Sequence, residues 1–303
     1  MNAVCFDIGG TAIKYALVSQ NKGIAHQGKI TTPYDLTAFQ KVIAEVVEEY
    51  AATDEITAVG ISMPGYINPQ TGYAERAGAL AYLDHKNIID VLSEKISFPI
   101  YIENDARCAA LAERYSGNAQ GLNNFIVMTI GTGIGTAFYL NGSLYRGASF
   151  KAGEFGHSRI DYQKRPQHTM HDIFSTRILV EEYKKHMKIP APAVVTGEEV
   201  FETAKLDPEV EEMIQKWVQW LCVGTYNLAC TFNPEKILIG GGVSANPELL
   251  PRIERQMSQI DERWITDFYT VIEPCKYLNN AGILGAFYFV EQQLEKQTVK
   301  GES

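Results

Sequence analysis

The sequence predicts an α/β protein made of two similar halves, and two patterns support this prediction. Short apolar runs alternate with longer segments in which apolar residues recur every three or four positions, which is typical of layered α/β domains. In addition, a strand, a glycine-rich turn and a second strand are predicted at residues 3–18 and again at residues 125–140. We therefore expect a duplicated domain with parallel strands in each copy.

In the first half, local signals define the elements in chain order. The mostly apolar segments at residues 3–8 and 14–18 predict a hairpin with glycines at its tip. Asp35 is a favourable N-cap residue, and the apolar residues from Leu36 to Tyr50 share one face of the helix that follows. Further strands are expected at residues 58–63 and 99–103, and further helices near residues 87–96 and 106–115.

The second half repeats the opening pattern and then adds helices. Strands are expected at residues 125–130, 136–140 and 236–239, and helices near residues 174–186, 208–229 and 281–295. The polar stretch with Gly117 and Gly121 predicts a boundary between domains 1–117 and 118–280. The C-terminal helix, residues 281–296, is expected to pack back on the first domain, and residues 297–303 are expected to be a disordered tail.

Composition and charge exclude several classes of protein. Among 303 residues, 27 Lys and Arg stand against 36 Asp and Glu, which gives a net charge of −9. Without a basic stripe, this balance disfavours a nucleic-acid partner, whose phosphates require several cations. No apolar run reaches the roughly 18 residues of a membrane helix. We expect no membrane partner and a cytoplasmic location.

The first glycine turn follows a predicted buried strand, at residues 7–11. Gly9 and Gly10 lack side chains, so the backbone N–H groups of the turn can approach an anion closely. A tight hairpin without a ligand is the alternative interpretation. Asp7 favours the phosphate cradle, because a carboxylate at the end of an apolar strand needs a partner such as a hydrated metal ion.

The second glycine turn, Gly131-Thr-Gly-Ile-Gly-Thr136, repeats this chemistry. Its glycine spacing is similar to that of a dinucleotide-binding fingerprint. However, the turn leads into another predicted strand at residues 136–140 instead of a helix, so the dinucleotide interpretation fails its structural requirement.

Two further segments carry candidate polar side chains. Asp105, with Glu103 and Asn104 before it, lies at a strand-to-helix junction, where a carboxylate can cap the helix or serve as a general base. The segment Gly153-Glu-Phe-Gly-His157 places Glu154 and His157 on a glycine-flanked loop. They are either solvated surface groups or ligands of a small hydroxylated molecule.

Seven motifs, in order along the chain, resemble those of the ROK family (repressor, open reading frame, kinase). They are DIGGT at 7–11, SMPG at 62–65, END at 103–105, GTGIGT at 131–136, GEFGH at 153–157, GGG at 240–242 and AGILG at 281–285. The resemblance spans nearly the whole chain. It implies the actin-like ATPase (ribonuclease H-like) fold, with two duplicated α/β domains around a central cleft, and ATP-dependent phosphorylation of a sugar.

The resemblance also implies roles for individual residues. Asp105 is expected to be the general base, and Asp7 is expected to bind Mg²⁺ through water. The expected sugar ligands are Asn104, Glu154, His157, Gly65, Gly78 and His171. The expected ATP ligands are Asp7, Gly9, Gly10, Thr11, Lys14, Gly131, Thr132, Gly133, Gly135, Gly240, Gly241 and Gly242.

One departure from the family pattern concerns zinc. Many members have a cysteine-rich zinc segment after the Gly-His motif, whereas residues 158–171 contain no cysteine and the chain has no Cys-x-x-Cys pair. No zinc site is therefore expected, although His157, His168, His171 and Asp172 leave a weaker histidine site as an alternative. His171 stands where the zinc-type members carry a further sugar-binding Glu.

These observations favour a sugar kinase that uses ATP and Mg²⁺ and acts on the 6-hydroxyl of a glucose-type sugar. A β-glucoside such as cellobiose, or glucose, is the expected acceptor, and N-acetylmannosamine is the alternative. A repressor would carry a DNA-binding segment before the first hairpin, where only six residues precede Asp7. A non-catalytic sugar sensor is a further alternative, which the presence of Asp105 disfavours. Relatives suggest a homodimer.

Overall fold

The computed structural model describes residues 1–21, 23–161, 167–260 and 269–301. The chain divides into two compact units. Unit 1 comprises Met1–Ser116, Arg146–Lys151 and Asn280–Ser303, and unit 2 comprises Gly117–Tyr145 and Ala152–Asn279. The predicted domains, 1–117 and 118–280, assign the short segment Arg146–Lys151 to the second domain, whereas the structure groups it with unit 1.

Unit 1 is built on a mixed sheet. Its strands are β1 (Asn2–Ile8), β2 (Ala12–Ser19), β3 (Gly23–Thr31), β4 (Ala58–Met63), β5 (Tyr66–Ile67), β6 (Tyr73–Arg76), β7 (Lys86–Asn87) and β8 (Ile100–Asn104). In the described part of unit 1, the main sheet has the order β3-β2-β1-β4-β8, with β1, β4 and β8 parallel. Strands β5, β6 and β7 form a separate small sheet.

Helices cover this sheet and bury its apolar side chains. Those near the start of the chain are α1 (Leu36–Ala51), α2 (Ile88–Ser93) and α3 (Asp105–Ser116). The predicted N-cap of α1 is confirmed, since the Ala38 backbone N–H donates to Asp35 Oδ1 at 2.9 Å. Phe39, Ile43 and Val47 on one face of α1 are buried, as their spacing predicted.

Unit 2 repeats the topology of unit 1. Its strands are β9 (Phe125–Ile130), β10 (Ile134–Leu140), β11 (Ser143–Tyr145), β12 (Lys236–Gly240) and β13 (Val271–Pro274). Within the described residues they have the order β11-β10-β9-β12-β13, with antiparallel and parallel pairs in the same places as in unit 1. The predicted duplication is confirmed. Strands β3, β11 and β13 were not predicted, because they are edge strands with few buried residues.

The helices of unit 2 pack around a second apolar core. They are α4 (His171–Phe174), α5 (Thr176–His186), α6 (Gly197–Ala204), α7 (Pro208–Phe232) and α8 (Leu249–Ile260). The predicted helix at 174–186 is wrong at its start, because Ser175 is extended and caps α5 by accepting from Ile178 N at 3.4 Å. The carbonyl of Ser175 accepts a hydrogen bond from the buried Trp217 indole at 3.1 Å, which fixes the break.

The C-terminal helix, α9 (Ala281–Gly301), belongs to unit 1. The prediction of a disordered tail from residue 297 is wrong for residues 297–301, which continue the helix. Thr298 Oγ1 donates to the Leu294 carbonyl at 3.1 Å, and Tyr101 donates to Gln297 Oε1 at 3.3 Å. No helix within the described residues combines the length and the apolar character of a membrane span.

Helix α9 packs against α3 at very short range. A Cβ atom at Gly285 would overlap the backbone carbonyl of Cys108, so this crossing requires a glycine. The same helix lies against β4, where a Cβ at Gly60 would be 3.0 Å from the Ala286 carbonyl oxygen. Gly285 therefore lets α9 pack closely against α3, which follows β8, and Gly60 lets α9 pack closely against β4, which pairs with β8.

We predict that Gly285→Ala destabilises unit 1. A Gly-to-Ala change inside a helix normally stabilises it by about 1 kcal/mol. Here the methyl group meets the backbone of Cys108, and overpacking of this kind costs about 1–3 kcal/mol, so the sign should reverse. The urea midpoint should fall, whereas Lys296→Ala, an exposed change in the same helix, should leave it unchanged. An unchanged midpoint for Gly285→Ala would contradict the close packing.

Candidate functional site

In unit 1, polar side chains lie at the carboxyl ends of three parallel strands. Asp7 on β1 is in register with Ser62 on β4, and Ser62 is in register with Glu103 on β8. Ser62 Oγ donates to Asp7 Oδ1 at 3.0 Å. Because ligands of α/β sheets bind at this edge, the row marks the candidate site of unit 1.

Asp105 lies next to this row, as the first residue of α3. Its side chain is exposed to solvent, and its Oδ1 accepts a hydrogen bond from Ala106 N at 2.8 Å. The surrounding protein nevertheless removes enough water to raise its pKa, and the Asp7 carboxylate raises it further. The pKa of Asp7 is also raised by burial, which outweighs the Ser62 hydrogen bond and the charge of Lys14.

Asn104 connects the end of β8 to two neighbouring segments. Its Oδ1 accepts from Arg107 N at 3.2 Å, which caps α3, and its Nδ2 donates to the Gly65 carbonyl at 3.1 Å. Capping of α3 was one alternative role for the Asp105 carboxylate. In the structure the side-chain amide of Asn104 caps this helix. Gly65 has a φ of 106°, and Gly78 follows the segment that packs on it.

Glu103 is completely buried and forms the centre of an ion cluster that the sequence did not indicate. Arg107 NH1 lies 3.3 Å from its Oε1, and Arg146 NH2 lies 2.7 Å from its Oε2. The Asn104 N–H also donates to Oε1 at 2.8 Å. Arg107 NH2 donates to the Phe150 carbonyl at 2.6 Å, so the segment Arg146–Lys151 is tied to the start of α3.

The first glycine turn closes the hairpin of β1 and β2. Gly9 N donates to the Ala12 carbonyl at 3.0 Å, and Thr32 Oγ1 donates to the Gly9 carbonyl at 2.6 Å. Gly10 and Thr11 are exposed, and Lys14 is in register with Asp7 on the neighbouring strand. The backbone of this turn is therefore fixed by the protein while its tip faces solvent.

In unit 2, the second glycine turn borders a cavity of about 500 Å³. Gly131, Thr132 and Gly242 line it, and these are three of the predicted ATP ligands. The other walls come from α5 and from the start of α6, two regions that the sequence motifs did not mark. Their lining residues are Thr176, Arg177, Val180, Glu181, Lys184, Val195, Thr196, Gly197 and Glu198.

The remaining glycines predicted as ATP ligands in unit 2 support the cavity without lining it. Gly241 has a φ of 89° and packs against the Ile130 carbonyl, and a Cβ at Gly240 would lie 3.0 Å from Cys275 Sγ. Gly133 and Gly135 belong to the turn but are not among the lining residues. Thr176 Oγ1 donates to the Ile130 carbonyl at 3.4 Å, which joins α5 to the turn.

The loop at residues 153–157 is fixed to β10. Thr136 Oγ1 donates to the Gly153 carbonyl and accepts from Phe155 N at 3.3 Å. His157 is exposed at the end of the short 3-10 helix Phe155–His157, and Glu154 precedes this helix. Thus Glu154 and His157 lie on one short turn, and their role as sugar ligands stays a prediction.

His171 lies against the second glycine turn, and its role as a sugar ligand stays a prediction. Its Nδ1 accepts a hydrogen bond from Ile134 N at 2.9 Å, so the ring faces the second glycine turn. Its ring is 4.6 Å from that of His157 in a T-shaped arrangement. Burial and the neighbouring His157 lower the pKa of His171.

Metal ligands are sparse in the parts of the chain that the structure describes. No group of three or more His, Cys, Asp or Glu side chains there is arranged to hold a metal ion. Residues 162–166, which belong to the cysteine-free segment 158–171, lie outside the described residues. Asp172 accepts from Thr169 N at 3.1 Å and from Thr169 Oγ1 at 2.9 Å.

Known proteins with a similar sequence or structure lead to one family. The sequence profile of the ROK family matches residues 3–293. The β-glucoside kinase of Listeria innocua serovar 6a is 34% identical over 302 residues, which cover 97% of this chain and 98% of the relative.

Two solved structures have the same fold. The Lmo2764 protein of Listeria monocytogenes, provisionally named an N-acetylmannosamine kinase, has a TM-score of 0.85 at 33% identity and covers 97% of this chain and 100% of its own. A ROK family glucokinase from Streptomyces griseus, in complex with glucose and AMPPNP, has a TM-score of 0.80 at 26% identity and covers 94% and 98%.

These similarities extend over nearly the full length of each chain, and they agree with the duplicated sheet topology. The predicted actin-like ATPase fold is confirmed. Taken with the motif order, the profile match shows that this chain belongs to the ROK family.

Proposed function

We propose that this protein is an ATP-dependent sugar kinase that phosphorylates the 6-hydroxyl of a glucose-type sugar, with a β-glucoside as the first candidate. The observation that carries the proposal is Asp105, an accessible carboxylate with a raised pKa at the carboxyl ends of parallel strands in a ROK family chain. The names of the relatives, β-glucoside kinase and glucokinase, favour the same reaction.

Asp105 would act as the general base. In phosphoryl transfer the protein mainly positions the reactants and stabilises charge, and one carboxylate accepts the proton of the attacking hydroxyl. A raised pKa makes the ionised Asp105 a stronger base than an ordinary carboxylate, while its exposure leaves it accessible to a substrate. The Asn104 cap and the Glu103 cluster hold the backbone on which Asp105 stands.

The cavity of unit 2 is the candidate site for the nucleotide. Its volume, about 500 Å³, lies within the roughly 300–1,000 Å³ of small-molecule sites. Nothing within 4 Å would obstruct a Cβ at Gly131 or Gly242, so the backbone at both positions has open space in front of it. Apolar Val180 and Val195 suit the base, and the N–H groups near Thr132 suit a phosphate.

Mg²⁺ would bind with the ATP phosphates, and Asp7 is the candidate protein ligand. Mg²⁺ typically combines one or two carboxylates with waters and phosphate oxygens. Burial raises the pKa of both Asp7 and Asp105, and the Asp7 carboxylate raises that of Asp105 further, so a cation bound beside them would favour their ionised forms. When bound, the ion would neutralise charge on the phosphates.

The sugar would be recognised by side chains that protrude from short, fixed turns. The side chains of Glu154 and His157 in unit 2 are the main candidates, and the candidates in unit 1 are the Asn104 side chain and the backbone at Gly65 and Gly78. N-acetylmannosamine is the alternative acceptor, which the name of the Lmo2764 protein favours. Homodimer formation and a cytoplasmic location stay predictions from the sequence.

We predict that Asp105→Asn keeps the fold and nucleotide affinity while kcat falls by roughly 10²–10⁴, the usual loss with a general base. Because only the ionised carboxylate accepts a proton, wild-type kcat should fall as the pH falls through the raised pKa of Asp105. Steady-state kinetics over pH check both points. Asp90→Asn, the same change at an exposed site of α2, should be neutral. A loss of kcat below threefold in Asp105→Asn would assign the base elsewhere.

We predict an enzyme that requires Mg²⁺ and no zinc. Chelation of Mg²⁺ should abolish activity and added Mg²⁺ should restore it, because the ion accompanies the ATP phosphates. Elemental analysis of the purified protein should find zinc well below one equivalent, since the chain lacks the cysteine segment. Stoichiometric zinc whose removal inactivates the enzyme would contradict this prediction.

The substrate is tested by a coupled assay with cellobiose, glucose and N-acetylmannosamine under identical conditions. We expect cellobiose to give the highest kcat/KM, because His171 replaces the Glu of zinc-type members at the C1 side of the sugar and leaves room for a substituent there. If kcat/KM for N-acetylmannosamine exceeds both others by tenfold, about 1.4 kcal/mol of transition-state preference, the β-glucoside assignment fails and the kinase assignment stands. If no sugar is phosphorylated, the kinase assignment fails.

A further inference from the structure

One imidazole ring, that of His171, contacts two segments that are far apart in sequence. Its Nδ1 accepts from Ile134 N at 2.9 Å, at the end of the second glycine turn. A Cβ at Gly133 would lie 3.0 Å from this Nδ1, and a Cβ at Gly156 would lie 2.6 Å from Nε2. The ring therefore fills the space between the turn at residues 131–135 and the loop at residues 153–157.

The two glycines make this contact possible. At Gly156 a side chain would meet the His171 ring on one side and the Ile134 carbonyl oxygen, 2.5 Å away, on the other. The loop backbone is thus held between the ring and the start of β10. A shift of the ring towards either segment is blocked by these close contacts with backbone.

The helix that carries His171 also leads to the nucleotide cavity. α4 ends at Phe174, and α5 follows after Ser175 with Thr176 and Arg177 on the cavity wall. Arg177 N lies 3.4 Å from the Gly131 carbonyl oxygen, so the turn is held from both ends of this short segment. His171 fixes one end of the turn, at Ile134, and α5 fixes the other.

The hydrogen bond sets the tautomer of His171. An Nδ1 that accepts from a backbone N–H cannot carry a proton, so the ring is neutral with its proton on Nε2. This state agrees with the lowered pKa of His171. The groups that act on its charge are His157, Asp172 and Arg177.

We propose that His171 is a positioning residue, which aligns the nucleotide-binding turn with the loop that carries Glu154 and His157. This inference rests on the proposed function, since it assigns the turn to ATP and the loop to sugar. His171 thereby couples the two binding segments of unit 2 without having to touch either substrate. A direct sugar ligand would affect only sugar binding, whereas a positioning residue affects both.

The test compares three variants at this position. Asn places its side-chain oxygen where Nδ1 stands and can accept from Ile134 N, Gln places its acceptor one bond further out, and Ala has none. We expect His171→Ala and His171→Gln to raise both the dissociation constant for AMPPNP and the sugar KM at least fivefold. His171→Asn should stay within twofold of wild type for AMPPNP. Glu182→Ala, an exposed change on α5 at a residue that does not line the cavity, is the control and should be neutral.

Titration calorimetry with AMPPNP measures nucleotide binding directly, so the dissociation constants of the variants can be compared even if no sugar is phosphorylated. Failure of the proposed function would appear as wild-type protein without kinase activity, which is distinct from any pattern among the variants. Three results would overturn the inference: unchanged AMPPNP binding in His171→Ala, a change confined to sugar KM, or equal losses in His171→Asn and His171→Gln. Should His171→Ala fail to fold by circular dichroism, the Asn and Gln pair decides the question.

Discussion

The buried charge of Glu103 is the constraint around which unit 1 is organised. Glu103 is fully removed from water, which costs several kcal/mol of free energy unless charged and hydrogen-bonded partners surround the carboxylate. Loss of one partner from such a buried ion pair typically costs ~3–5 kcal/mol. Its partners are Arg107, one turn along α3, and Arg146, which reaches it from a segment far along the chain. The need to neutralise one carboxylate thus joins a strand, a helix and a distant loop.

Further contacts of the same segment extend this network. The Phe150 carbonyl accepts from Arg107, the Lys151 ammonium lies 2.6 Å from Glu75, and the Arg146 guanidinium lies 5.8 Å from the Phe289 ring on α9. The backbone that leads into Asp105 is therefore held on several sides. A rigid backbone of this kind is what a positioned catalytic group requires, because small displacements reduce its effectiveness.

Unit 2 achieves similar rigidity with neutral groups. Its turn, loop and α4 are joined by the His171 ring, and Thr136 fixes the loop to β10 through its hydroxyl. Close packing of glycine backbone against the ring provides the remaining restraint.

Local sequence by itself determined the fold class, the duplication and most core elements. Apolar periodicity and glycine turns are local signals, so strands such as β4 and β9 and the Asp35 cap of α1 were predicted correctly. The motifs also marked Asp105 and the two turns. Tertiary structure alone decided the rest. Arg146 reaches Glu103 from 43 positions away, and Ile134 donates to His171 from 37 positions away. The α5 and α6 walls of the cavity are likewise distant in sequence from the second glycine turn. No local pattern encodes such pairs, because they form only when the sheet and helices bring distant segments together.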